Sequence, residues 1–368
     1  MTTILFFSLT KAQYHYFQKL KKHLPFISSH LFFPNFFISL ERPPKIEIEH
    51  ILTTKYKEID TKYRHVLKKT LYKKFIQFQV PWVLRVLYRE MKKKPDFLVL
   101  WNGKKFHQAL ARALAKELGI KVIYFENGIL PHTTTMDFKG VNASNSVPRQ
   151  SSFYRSLHFD KHVKLPSNLV PRVSKRKSKS EISSALPERY IFVPFQVAYD
   201  TQIIQHSPCF HDMFALFKTL ERLTEETSWH FVIKEHPSDR VSDYTVLQQA
   251  RHPQIHFSSE NTQYLIENAA AVMTINSSVA IEALLFKKKV IVLGEAFFVI
   301  DDLVKRACSA KDILEILHTL EAWKVDVPLI ENFLSYLYVE YLIPGDWRDP
   351  DRKHIQRIEE KIKEEINR

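Results

Sequence analysis

Glycine is scarce in this sequence. Only six glycines occur in 368 residues, and none falls in a GxGxxG or GxxxxGK[ST] arrangement. The chain therefore lacks the pliable phosphate loops of Rossmann dehydrogenases and P-loop NTPases, which argues against both classes. Cysteine is scarcer still: Cys209 and Cys308 are the two present, and neither has a CxxC partner. That spacing supports neither a zinc site nor a disulfide framework, so the expectation is two buried thiols in a reducing cytoplasm. Long apolar runs are missing as well. The stretch from Leu31 to Leu40 is too short to span a bilayer and contains Pro34. The start, Met1 to Thr10, has no basic leader and no cleavage site, and reads as a first β-strand rather than a signal peptide. Any membrane association is expected to be peripheral.

What the sequence does have is positive charge and the substance for packed cores. The formal net charge is +14, with 45% hydrophobic and 13% aromatic residues. A surplus of that size attracts anions: nucleotide, acidic glycan, nucleic acid or anionic lipid. The length exceeds a usual single core, so two domains are the default. Strand-like runs alternate with helix-like stretches, the α/β pattern. Strands are predicted at Ile4–Ser8, Phe97–Trp101 and Lys121–Phe125, with helices at Lys11–Lys22, Tyr56–Gln79 and Phe106–Leu118. In the second half, strands are predicted at Tyr190–Pro194, His230–Lys234, Ala271–Ile275 and Lys289–Leu293. Helices fall between them, near His211–Glu226, Thr262–Asn268 and Ser277–Phe286.

The composition changes at Arg172 to Pro187, whose centre, Lys175 to Ser180, is basic and devoid of apolar residues. Such a stretch reads as an exposed linker. The expected organisation is an N-terminal Rossmann-like domain over 1–171, a linker over 172–187 and a C-terminal Rossmann-like domain over 188–345, followed by a helix over 346–368. In that last helix Ile355, Ile358, Ile362 and Ile366 recur at spacings of three and four, one apolar stripe among charges. It is expected to pack on the body, and in a two-domain transferase to cross back to the first domain.

Two phrases stand where buried strands stop. Lys234-Glu235-His236-Pro237 follows an apolar run, and Asn276-Ser277-Ser278 follows another and opens the helical stretch that carries Glu282. In an open parallel sheet that edge is where ligands bind. The second phrase is expected to offer hydroxyls and open backbone N–H groups to a phosphate. His236, fixed by Pro237, is placed to donate a ring N–H. Two carboxylates occupy similar edges, one in each proposed domain. Glu126 precedes Asn127-Gly128, and Asp200 ends Gln196-Val197-Ala198-Tyr199-Asp200, ahead of Thr201-Gln202. Such a pair suits sugar transfer, which needs a nucleophile or charge stabiliser and a proton-transfer group. Equally, Asp200 reads as a helix cap and Glu126 as a turn carboxylate. The segment Thr133 to Ser144, with Asp137, Gly140 and Asn142, reads as a polar loop lining a site. Asp349-Pro350-Asp351 matches the DxD of metal-dependent transferases but sits at a helix start, where it reads as capping; no metal constellation is expected.

Together these segments resemble the bacterial capsule polysaccharide biosynthesis proteins, specifically the retaining β-Kdo glycosyltransferases. The resemblance rests on Phe125-Glu126-Asn127-Gly128, Asp137-Phe138-Lys139-Gly140-Val141-Asn142 and Gln196 to Ile203. Lys234-Glu235-His236-Pro237, Asn276-Ser277-Ser278 and Glu282-Ala283 complete it, and Trp101-Asn102-Gly103 fits as well. It covers roughly residues 97–295, judged by motif order. It implies a GT-B-like fold with two Rossmann-like domains, their parallel sheets facing an interdomain cleft, and CMP-β-Kdo as donor. The acceptor would be a glycan or lipid-linked glycan. It further implies Asp200 as nucleophile and Glu126 as its partner carboxylate. His236, Ser277 and Ser278 would hold the CMP phosphate and ribose, with Lys234, Pro237, Asn276, Glu282, Gln196 and Gln202 around them. No cofactor and no metal are implied at the transfer step. Lys234, Arg149 and Arg155 are candidates to meet the Kdo carboxylate. The implied location is the inner face of the cytoplasmic membrane.

Two other readings stand beside this one. In one, the chain is a GT-B transferase that uses a different donor, such as CMP-sialic acid or a UDP-sugar. A basic binding protein without catalysis would use Lys68-Lys69, Lys73-Lys74, Lys92-Lys93-Lys94 and the 175–179 cluster. Those clusters lack interleaved aromatic residues and no nucleic-acid motif is present, so no nucleic-acid partner is expected. Attraction to an anionic membrane surface or an acidic glycan accounts for the charge more simply.

Overall fold

The computed structural model describes residues 1–33, 39–159, 163–170 and 186–368. Most of the expected linker, Arg172 to Pro187, lies outside the described residues. The chain divides into two compact units: Met1–Val147 together with Tyr341–Arg368, and Pro148–Glu340. The first boundary thus falls ahead of the basic stretch on which the sequence placed it, and the second precedes the terminal helix.

In the first unit the chain runs β1 (Thr3–Ser8), α1 (Lys11–His23), β2 (Ile27–Phe32), α2 (Glu49–Lys62), α3 (Val66–Met91), β3 (Phe97–Trp101), α4 (Phe106–Glu117), β4 (Lys121–Asn127) and β5 (Thr133–Asp137). The second unit supplies α5 (Ser151–Arg155), β6 (Tyr190–Pro194), α6 (Thr201–His206), α7 (Met213–Thr224), β7 (His230–Lys234), α8 (Thr245–Gln249) and β8 (Ile255–Phe257). It continues through α9 (Thr262–Asn268), β9 (Ala271–Thr274), α10 (Val279–Leu285), β10 (Lys289–Val292), β11 (Lys305–Arg306), α11 (Ala310–His318) and α12 (Val327–Ser335). The chain then returns to the first unit with β12 (Ile343–Pro344) and α13 (Arg352–Ile366).

The second sheet has the order β11-β10-β9-β6-β7-β8, and its described strand pairs are all parallel. Read from β6 outward, this is the 3-2-1-4-5-6 order of a dinucleotide fold, with its switch point between β6 and β9. Every residue of β6, Tyr-Ile-Phe-Val-Pro, is buried. An apolar run without alternation is what a strand covered on both faces requires. α7 presents Met213, Leu216, Phe217, Leu220 and Leu223 to the core at helical spacing, and Asp212 caps it by accepting the Ala215 N–H at 2.7 Å. α11 begins with a reciprocal capping box between Ser309 and Asp312.

The first sheet has the order β12-β5-β4-β3-β1-β2, with β5 antiparallel to both neighbours. Here the sequence reading needs correction. Thr133–Asp137 belongs to a fully buried strand, not to a polar loop. Threonine suits a strand, and each hydroxyl is satisfied by a carbonyl: Thr133 on Leu130, Thr134 on Gly345 and Thr135 on Asn127, at 2.7, 2.8 and 3.1 Å. The helix expected over Tyr56–Gln79 is two helices, α2 and α3, broken by extended backbone at Tyr63 and His65. α13 buries Ile358 and Ile362 against Ile4, Phe6 and Phe97 of the first unit, as its stripe required, and leaves Ile366 exposed. Asp351 caps it, accepting the His354 N–H at 2.8 Å, which is the capping role expected for that DxD match.

Cys209 and Cys308 are also corrected. Their Cα atoms lie 5.5 Å apart across 99 residues of sequence, and the structure joins them as a disulfide. That separation is within the normal range for a bridge. Among the described residues no helix is long and apolar enough to cross a membrane.

Candidate active site

The second sheet ends in a cavity of about 250 Å³. Four strand ends contribute to it: Pro194 and Phe195 at the end of β6, Lys234 to Pro237 at the end of β7, Ser259 after β8 and Ser277 after β9. Glu282, in the first turn of α10, is 8% exposed and closes one side. The switch point of the sheet therefore coincides with the hollow, as the strand order requires. Lys234, His236, Pro237, Ser277 and Glu282, picked from the sequence, come together here.

Lys234 donates to the Glu260 carbonyl, and burial pulls its ammonium below the usual lysine range. Glu235 is fixed by Gln248, whose amide donates to Oε1 at 2.6 Å. His236 Nδ1 accepts the Ser238 N–H at 3.1 Å. In the neutral ring that leaves the proton on Nε2, the donor the sequence reading wanted. The cavity thus combines a cation and a ring donor with two carboxylates. Such a set recognises a ligand that carries both an anionic group and hydroxyl or amino donors.

The helix start behaves differently from the expectation. The Ser277 N–H donates to Thr274 Oγ1, Val279 N–H to Ser277 Oγ, Ala280 N–H to the Ser277 carbonyl and Ile281 N–H to the Ser278 carbonyl. These groups are satisfied within the chain, and α10 has only seven residues, so an anion here must rely on side chains. Ser278 is the N-cap residue and makes no side-chain cap hydrogen bond.

Three of the predicted donor-binding residues are builders of the edge. Gln196 Oε1 accepts the Asn276 N–H at 3.0 Å and the Thr274 hydroxyl at 3.2 Å, while its Nε2 donates to Asn276 Oδ1 at 2.9 Å. Asn276 Nδ2 in turn donates to the carbonyls of Gln202 and His206, each at 3.1 Å. This network ties the ends of β6 and β9 to α6, and Gln202 Nε2 is buried beside it without a partner. Asp200 caps α6: its Oδ1 accepts the Gln202 N–H at 2.8 Å, and the residue is exposed. Of the candidates for a sugar carboxylate, Arg155 is committed to Asp302 and Asp326 at 3.0 and 2.6 Å. Arg149 stands over the Phe297 ring. Lys234 alone of the three lines the cavity.

In the first unit, Glu126 closes β4 at the carboxyl edge. Its Oε2 accepts from Asn102 Nδ2, and its Oε1 accepts the Asn127 N–H and side-chain amide at 2.9 and 3.0 Å. Asn102 reaches it from the Trp101-Asn102-Gly103 turn, with φ values of 68° and 75° at Asn102 and Gly103. A Cβ on Gly103 would stand 2.6 Å from the Tyr124 ring, so glycine is required there. Asn127 Oδ1 is held by Trp347 Nε1 at 2.9 Å. Gly128 has no room for a side chain either, since a Cβ would meet the Thr133 carbonyl at 2.1 Å. Asp137 is 2% exposed and its carboxylate accepts from the N–H groups of Lys139, Gly140 and Ser146 and the hydroxyls of Ser146 and Tyr341. It organises the loop that holds Gly140 and Asn142.

Residues Ser259, Asn261, Thr262 and Gln263 also line the cavity and escaped the sequence reading. They follow β8, a strand of three residues whose apolar run is too short to announce an edge.

Residues 168–313 match the family model described as capsule polysaccharide biosynthesis protein. The chain is similar to Protein FixF of Sinorhizobium fredii, 37% identical over 71% of this chain and 63% of that one. It therefore spans less than two thirds of that relative's length. It is also similar to the capsule polysaccharide export protein KpsS of Escherichia coli, 25% identical over 72% of this chain and 82% of that one. Among solved structures, the β-Kdo 2,7 transferase of Thermosulfurimonas dismutans KpsC aligns at 13% identity over 93% of this chain and 92% of that one, with a TM-score of 0.49.

Proposed function

We propose that this chain, whose residues 168–313 match the capsule polysaccharide biosynthesis family, is a retaining β-Kdo glycosyltransferase. The donor is CMP-β-Kdo and the acceptor a glycan or lipid-linked glycan, at the inner face of the cytoplasmic membrane. The observation that carries this reading is the cavity at the switch point of the second sheet, where Lys234, His236, Ser277 and Glu282 converge. Lys234 and His236 Nε2–H meet the phosphate of the CMP moiety, and Glu282 and Ser277 meet hydroxyls of its nucleoside.

The chemistry follows in two displacements. An Asp200 carboxylate oxygen bonds to the anomeric carbon, and CMP leaves with the electron pair of the broken bond. The acceptor hydroxyl then attacks that carbon, its proton passes to Glu126, and Asp200 departs as carboxylate. Asn102 and Asn127 support this role for Glu126, because donors on both its oxygens fix the direction of the carboxylate. As an exposed carboxylate at the end of its own sheet, Asp200 can give up its capping bond at modest cost, about 1 kcal/mol. The transfer step uses no metal in this scheme.

The test is transfer from purified CMP-Kdo, CMP-sialic acid and UDP-sugars, with the product's anomeric configuration read by NMR. Turnover of CMP-Kdo to a β-linked product is expected, insensitive to EDTA. An α-linked product means a single displacement and sinks the nucleophile assignment. Preference for another donor removes the Kdo reading while leaving the cavity's role as a nucleotide site.

A further inference from the structure

α3 is apolar on two opposite sides. One side, Ile76, Val80, Val83 and Leu87, is buried in the core of the first unit. The other carries Leu67, Leu71, Phe75 and Phe78, which are 80%, 69%, 52% and 83% exposed. At 100° per residue these four fall within one quadrant of the helix, a stripe about 16 Å long. Singly exposed apolar residues need no explanation, but an aligned row of two leucines and two phenylalanines does.

The setting of the stripe says what covers it. α3 holds four lysines and two arginines, and its one acidic residue, Glu90, is at its far end. Lys68, Lys74 and Arg85 project beside the stripe or along it, and among the described residues none is in an ion pair. Leucine and phenylalanine flanked by cations outside any described ion pair match the in-plane helices that sit in the headgroup region of anionic bilayers. The C-terminal helix, the other amphipathic candidate, has its stripe buried and is unavailable for this.

We propose that the outward face of α3 docks this protein on an anionic lipid surface, with Leu67, Leu71, Phe75 and Phe78 entering the headgroup layer and Lys68, Lys74 and Arg85 meeting lipid phosphates. Attachment then has an apolar part as well as an electrostatic one, unlike the purely charge-driven association that composition suggests. It is independent of the donor bound in the second unit.

Co-sedimentation of the full chain with phosphatidylcholine vesicles, with and without phosphatidylglycerol, tests the assignment. Binding is expected only with phosphatidylglycerol. Two double variants, Leu71→Ser with Phe78→Ser and Lys74→Glu with Arg85→Glu, should each weaken it on the order of tenfold or more. Both change exposed side chains, and an unchanged circular dichroism spectrum and melting temperature confirm that they fold. At high salt the parent should keep residual binding that the serine variant lacks. Failure of the parent to bind, equal binding to both vesicles, or unaffected variants overturns the proposal. So does a dimer in solution that the serine variant converts to monomer, because the stripe would then belong to a second copy.

Discussion

At the carboxyl edge of the first sheet the polar side chains hold one another. Asn102 and Asn127 grip Glu126, and Trp347 grips Asn127. At the same edge of the second sheet, Gln196 and Asn276 knit the strand ends together, but Lys234, His236 and Glu282 are left around a hollow. The first arrangement suits a single group that must point in a fixed direction. The second suits a ligand that the hollow can receive. The contrast follows from the strand order: the second sheet has its switch point at the hollow, whereas Glu126 stands on β4, two strands from β1.

The sharpest way to break this division is to remove each carboxylate. Asp200→Asn should still bind CMP-Kdo yet transfer almost nothing, because an amide cannot form the glycosyl ester. Glu126→Gln should slow turnover by about 10²–10⁴-fold, the usual worth of a positioned proton-transfer group. In that variant the nucleophile remains, so intact-mass spectrometry after mixing with CMP-Kdo should show a protein heavier by one Kdo residue, mapped to Asp200. If Asp200→Asn retains turnover, Asp200 is only the cap of α6. If the adduct maps elsewhere, another nucleophile must replace it.

Much of this arrangement was legible beforehand, and the exceptions have causes. Strands such as β6 and β9 announce themselves because both faces are buried and nearly all their residues are apolar. β2, Ile-Ser-Ser-His-Leu-Phe, is an edge strand and mixes polar residues freely, so it gave no such signal. β5 hid because its threonine hydroxyls are paid for by carbonyls that only the fold brings near. Cavity-lining residues that end an apolar run were picked out; those that follow β8 were not. Sequence pattern could not separate Lys234 and His236, which face the cavity, from Asn276 and Gln196, which mainly tie strands together. All four are polar residues at strand ends, and only the hydrogen-bond partners distinguish them. The Cys209–Cys308 bridge depends on a 99-residue separation closing, about which spacing says nothing.

The two units should also differ in their response to acid. In the first, burial holds His30 and His107 at about 4, well below their ordinary 6.5. In the second, His256 is lowered by burial and by its neighbours His230 and His252. A histidine that is neutral when folded binds more protons when unfolded. Its stabilisation is therefore complete above pH 6.5 and is lost as pH falls toward 4. A shift of that size corresponds to an upper bound on the order of 3 kcal/mol per residue. Hydrogen exchange followed by mass spectrometry, resolved by peptide, should show the first unit loosening faster than the second between pH 6.5 and 4. His107→Leu should flatten that slope, since Nε2 of the native ring is buried without a partner. Parallel loosening of both units, or an unchanged slope in the variant, would remove histidine burial as the cause.

The smallest expected effects separate the cavity's ligand groups from its builders. His236→Ala removes the Nε2–H donor and should weaken CMP binding by about 1–3 kcal/mol in calorimetry, the worth of a hydrogen bond to a charged group. Ser277→Ala should cost less, because Ser277 Oγ already accepts the Val279 N–H and contributes to the ligand only through its own proton. Asn276→Ala should behave in the opposite way. Its side chain spans three elements, donating to the Gln202 and His206 carbonyls and accepting from Gln196, so its loss should lower the melting temperature of the ligand-free protein. Affinity lost in Asn276→Ala should then be recovered at lower temperature, where the strand ends are again ordered, whereas the deficit of His236→Ala should persist. If the two variants respond alike to cooling, the distinction between the residues that face the hollow and those that frame it fails.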